Sequence, residues 1–97
     1  MKITRERYVA VCDNRTKIMI SHRSWIEWRT FDKIGKAQIT SWNSRNTAIA
    51  ALKSRADFTL RYSINGSEKA NVYEKYTNKE IEIVKMIETL DLDIDNE

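Results

Sequence analysis

The sequence predicts an α+β fold: a small antiparallel sheet of about five strands, packed by two main helices near residues 44–55 and 78–90. Three observations carry this. Several short stretches alternate apolar and polar residues with period two, as half-buried strands do. Two others space their apolar residues along one side of a helix. Turn residues separate these stretches at short intervals, and the chain has no proline and no polar linker. Its 97 residues therefore read as one domain over 1–97, ending in an acidic C-terminal tail over 91–97.

The first elements form a hairpin. Residues 7–12 (RYVAVC) alternate, Asp13-Asn14-Arg15-Thr16 is a polar turn, and residues 17–21 (KIMIS) return as a second strand. Residues 21–31 (SHRSWIEWRTF) admit two readings. As a strand, Ile26 and Trp28 face one way, while Arg23, Trp25, Glu27, Arg29 and Phe31 form a ladder of cations and aromatics on the other. As a short helical turn within 24–34, Ser24 is the N-cap, Glu27 completes a capping box, and Gly35 follows the last turn. These start and stop signals favour the helical reading.

Residues 36–42 (KAQITSW) alternate as a central strand. Asn43 or Ser44 then caps a helix to about residue 55, with Ala48, Ile49, Ala51 and Leu52 as its buried stripe. Phe58, Leu60, Tyr62 and Ile64 alternate with polar residues and predict a half-buried strand. Asn65-Gly66 is its turn, and residues 69–76 are the returning partner. Thr77-Asn78-Lys79-Glu80 matches a capping box ahead of Ile83, Val84, Ile87 and Leu90, which fall at helical spacing. Residues 91–95 switch to period two, as a short edge strand or a frayed tail.

Composition bounds the function. Cys12, the single cysteine, excludes an intrachain disulfide and fits a reducing compartment. The chain shows no apolar leader and no run near the roughly 20 residues a membrane span needs. A cytoplasmic protein without membrane contact is expected. Residues 1–62 carry 13 Lys/Arg against 5 Asp/Glu, and residues 63–97 carry 4 against 9. Either the two halves attract one another across the surface, or the first half is a basic binding face.

Catalytic chemistry finds little to use. One His and one Cys cannot make a zinc site. Asp91, Asp93 and Asp95 imitate the start of a calcium loop, but Asn96 stands where the turn glycine belongs. Gly35 and Gly66, the two glycines, are too few for a phosphate-cradling loop. His22 lies in a basic neighbourhood and reads as a neutral, exposed histidine. No catalytic residue, metal or cofactor is therefore assigned, and no enzyme is expected. A small metal-independent nuclease using Glu27, Arg and Tyr groups ranks third among the functions.

Binding fits better. Arg23, Trp25, Arg29, Lys33 and Lys36, with Trp42, make a basic surface with aromatic platforms, which Arg5, Arg7, Arg15 and Lys17 of the hairpin extend. Trp25 is the surface aromatic, whereas Trp28 and Trp42 are assigned to the core. The same residue types dominate protein-interface hot spots, so a protein and a DNA or RNA strand compete as partner.

The stretches YVAVCDNRTKIMIS and DKIGKAQITSWNSRNTAIAALKS resemble small accessory proteins of bacteriophages and mobile elements, built as hairpin, strand, helix and strand. The likeness covers about residues 7–64 and transfers no site residues. It implies a host-takeover or anti-defence protein in the cytoplasm of a bacterial host. Such a protein binds and inhibits or redirects a host protein, defence complex or protein–nucleic acid complex.

Overall fold

The computed structural model describes residues 1–23, 25–35, 38–62 and 66–93. Strand β1 (Lys2–Cys12) turns back as β2 (Lys17–Ser21), and β3 (Ile26–Thr30) pairs with β2. A short 3-10 turn, Phe31–Lys33, leads into an irregular crossing that reaches helix α1 (Arg45–Tyr62). Helix α2 has π-helical turns over Lys69–Glu74 that continue as the α-helical turn Lys75–Thr77. Strand β4 (Glu82–Asp91) then runs back along β1. The fold is α+β, and the described residues form a four-stranded antiparallel sheet in the order β3-β2-β1-β4, instead of about five strands.

Alternation along β1 splits the core into two layers. Ala10 joins Met19, Ile26, Leu52, Ala56 and Val72 between the sheet and the helices, with Trp28, Trp42, Tyr76 and Ile83 at its margin. Val9, Val11 and Ile18 form the reverse face, against which Ile34 and Ile39 of the crossing pack. At the first turn Asp13, Asn14 and Arg15 all take left-handed backbone, with φ of 53°, 57° and 65°. Asp and Asn tolerate that conformation; a long side chain such as Arg15 pays more strain for it.

The predicted first hairpin is present, and β1 is longer than expected because β4 pairs with its N-terminal half. Segment 24–34 resolves as strand β3, followed by the 3-10 turn, and not as a helix capped by Ser24, which lies outside the described residues. Pairing of Ile26–Thr30 with β2 satisfies backbone that a lone turn of helix would leave open. Ile26 and Trp28 do face the core, as the strand reading required.

The expected 36–42 strand is not formed over its described part. Residues 38–41 are irregular, and Trp42 alone bridges β1, through Tyr8 N–H to Trp42 C=O and Trp42 N–H to Tyr8 C=O, both 2.9 Å. The Thr40 hydroxyl accepts from Ser21 N–H at 2.7 Å, so the crossing wedges between β1 and β2 where their ladder ends. Lys36 and Ala37 lie outside the described residues.

Residues 58–62 of the strand expected over 58–64 are the C-terminal end of α1; residues 63 and 64, and Asn65 of the turn, lie outside the described residues. Ser44 is the cap, its hydroxyl accepting from Thr47 N–H at 3.1 Å. The buried stripe is Ala48, Leu52, Ala56 and Thr59. No Gly or Pro interrupts the stripe, so each added residue extends the helix at the low cost of propagation. Ile49, expected inside, is exposed.

Two exchanges complete the corrections. Residues 69–76, expected as a strand, form α2, which buries Val72 against α1 and the sheet. Residues 78–90, expected as a helix, form most of β4. Lys79 sits in left-handed backbone at φ 59°, Glu80 N–H bonds Lys75 C=O at 2.8 Å, and Lys79 N–H bonds Tyr76 C=O at 3.1 Å. That paired pattern is a Schellman stop. Thr77-Asn78-Lys79-Glu80 therefore ends α2 and does not begin a helix. Of the acidic tail expected over 91–97, Asp91 closes β4, and 94–97 lie outside the described residues.

Candidate functional site

The residues predicted to contact a partner gather in no single patch. Arg23 and Trp25 lie in the β2–β3 turn, which a His22 N–H to Trp25 C=O bond of 2.8 Å closes. Arg15 and Lys17 belong to the other end of β2, roughly 14 Å away at strand rise. Lys33 follows β3 at that same far end, because Lys17 pairs with Thr30. Lys36 lies outside the described residues.

Among these cations, Arg15, Lys17 and Arg29 already hold a carboxylate. Arg15 Nε donates to Glu82 of β4 at 2.8 Å, and Lys17 pairs with Asp13 at 3.3 Å. Lys75 reaches the same Asp13 at 3.5 Å, and Arg5 pairs with Glu88. Arg29 grips Glu27 through two bonds, Nε to Oε2 at 2.8 Å and Nη2 to Oε1 at 2.9 Å, and donates Nη1 to Ile34 C=O at 3.1 Å. Glu27 Oε1 also meets His22 Nε2 at 3.0 Å, and His22 stacks on Trp25 with centroids 4.1 Å apart. The result is a chain from Trp25 through His22, Glu27 and Arg29 to Ile34, which pins the crossing to β3.

Arg29 first, and His22 second, hold the Glu27 carboxyl below its ordinary range, and Glu27 raises the Arg29 guanidinium in return. His22 is thus half-buried beside a carboxylate, and the expectation of an exposed histidine with no acid is corrected. Arg29 is a clamp, not a free contact residue. Trp25 keeps its expected place at the surface, 46% exposed. Trp28 packs on the core and donates Nε1–H to Asn71 C=O at 3.0 Å.

A second cation and aromatic surface lies where the sequence pointed to a half-buried strand. The outer side of α1 carries Phe58 and Tyr62, 50% and 65% exposed, on successive turns with ring centroids 4.9 Å apart. Arg55 lies over the Phe58 ring at 5.6 Å. These aromatics border a shallow groove of about 480 Å³ with Lys53, Ser54, Asp57 and Arg61. Among the described residues, Lys53, Arg55 and Arg61 pair with no carboxylate. The sequence signal was present: extending the stripe of Ala48 and Leu52 to Ala56 and Thr59 turns Phe58 and Tyr62 outward.

Among the described residues no three His, Cys, Asp or Glu groups come together to hold an ion, and no helix is long and apolar enough to cross a membrane. No protein-family model, no curated protein and no solved structure matches this chain.

Proposed function

We propose that the protein is a non-catalytic binding protein that holds a partner protein against the outer side of α1. The observation that carries this is the exposure of Phe58 and Tyr62 beside Lys53 and Arg61. Large aromatic rings flanked by cations are the residue types that anchor protein interfaces, and Phe58 and Tyr62 stand together in the open on one helix face. Trp25, exposed just before β3 in the β2–β3 turn, offers a second contact. The likeness to bacteriophage accessory proteins supplies the partner's class, a bacterial host protein or defence complex that is inhibited or redirected.

A single-stranded nucleic acid is the second reading. It is favoured by the three unpaired cations of α1 around two stackable rings, since base stacking is worth about 1–3 kcal/mol per base. Against it, Arg5, Arg15, Lys17 and Arg29 are spent on carboxylates, which removes part of the expected phosphate track. Capture from bacterial lysate, with and without nuclease, separates the readings. A protein retained after nuclease treatment is expected; DNA or RNA alone on the bait overturns the first reading in favour of the second.

A further inference from the structure

We infer that two copies of this chain pair through the free edge of β1, joining Lys2, Thr4 and Glu6 of each copy in one antiparallel register. The radius of gyration is 15.3 Å, against about 13 Å for a compact chain of this length, and the extents are 54 × 26 × 24 Å. The excess length goes with the N-terminal half of β1 and the C-terminal half of β4, which pair from Lys2↔Asp91 to Arg7↔Met86 and expose Ile3, Ile87 and Leu90. Among the described residues, no strand pairs with Lys2–Arg7 on the side away from β4. A two-stranded ribbon is marginal in water by itself, and added strands stabilise it.

The register follows from the backbone. Tyr8 directs both its N–H and its C=O away from β4, to Trp42. Alternation then turns the same groups of Lys2, Thr4 and Glu6 to the open edge. A second copy related by a two-fold axis through Thr4 sets Thr4 opposite Thr4 and Lys2 opposite Glu6, twice. All three outward residues then exchange bonds, about six in all. Glu6 already meets Lys85 of β4 at 3.3 Å, so Lys2 of the second copy joins that exposed carboxylate as its second cation, and the Thr pair is of the stabilising kind.

Neighbouring registers are worse. Sliding one way sets Arg5 against Arg5 and asks Tyr8 for groups that Trp42 already holds. Sliding the other way loses Glu6 from the ladder. The outer edge of β4 is less suited: Arg45 occupies its Ile83 carbonyl at 2.7 Å, and the register joining Lys85 to Asp91 opposes Glu88 to Glu88. The paired product is a four-stranded sheet, β4-β1-β1-β4, with a core domain at each end.

This inference does not depend on the proposed partner of α1. Sedimentation velocity on the full chain, from about 10 to about 500 μM, covers the range of a small, transient interface. The expected result is a concentration-dependent shift from monomer to dimer. Lys2→Glu should weaken the dimer about tenfold, and Lys2→Glu with Glu6→Lys should restore it. Thr4→Pro removes an outward N–H and should abolish the dimer while leaving the far-ultraviolet circular dichroism unchanged. A wild-type chain that stays monomeric throughout overturns the inference. So does a dimer that Thr4→Pro and Lys2→Glu leave intact.

Discussion

Cys12 sits beneath the β1–β2 turn with 1% of its surface exposed. Burial first, and the neighbouring Asp13 carboxylate second, raise its thiol from 9.0 to about 11. The native protein should therefore resist thiol reagents at pH 8 and label fully only in denaturant; rapid labelling of the folded chain would contradict this placement. Between those two values the folded state keeps a proton that the unfolded chain has lost, so stability should fall as pH rises through that window. Two carboxylates act at the opposite end of the scale. Glu27 is held low by Arg29 and then His22, and Asp13 by hydrogen bonding to Lys17 with help from Lys75. A depressed carboxyl contributes stability above its unfolded pKa and loses it as pH falls through its folded one. Melting temperature should accordingly drop on acidification below about pH 4.5, and Glu27→Gln should flatten that drop; an unchanged slope would remove Glu27 from the account.

Elements were legible where local pattern and long-range pairing agreed. The hairpin of β1 and β2 shows its alternation and its turn residues in sequence, and both strands were placed. So were the Ser44 cap and the start of α1. What failed was continuation and partner choice. Phe58, Leu60 and Tyr62 alternate, yet the same residues also fit a helix, and the unbroken stripe through Ala56 and Thr59 decided between them. Ile83, Val84, Ile87 and Leu90 fit a helical face, yet β1 offers ten residues of backbone for pairing from Lys2 to Val11. That distant partner is invisible in a local window. Thr77-Asn78-Lys79-Glu80 carries start-signal residues but works as a stop, because Lys79 adopts left-handed backbone. Lys79→Gly should relieve that strain and stabilise the fold by about 0.5–1 kcal/mol, read by chemical denaturation. Destabilisation would mean that the Schellman turn is absent. Of the candidate site, Trp25 was legible as a surface aromatic. The α1 face was not, since it depends on how far that helix runs.

Across the whole molecule the charge asymmetry turns inward. Acidic β4 lies along basic β1, joining Glu88 to Arg5 and reaching Arg15 of the turn through Glu82, so the two halves of the chain neutralise one another. Exposed pairs of this kind contribute at most about 1 kcal/mol each, and their main effect is to remove positive potential from the hairpin. On the outer side of α1, Lys53, Arg55 and Arg61 pair with no carboxylate among the described residues and stand beside exposed Phe58 and Tyr62, and the claim that this face binds a protein is open to direct measurement. Titration calorimetry of the captured partner should be run on the wild type and on Phe58→Ala with Tyr62→Ala, over a series of salt concentrations. The double variant should lose at least about 2 kcal/mol of binding with its melting temperature nearly unchanged, and wild-type affinity should vary little with salt. Binding that survives the double substitution, or that falls steeply and linearly in log salt, would contradict the account.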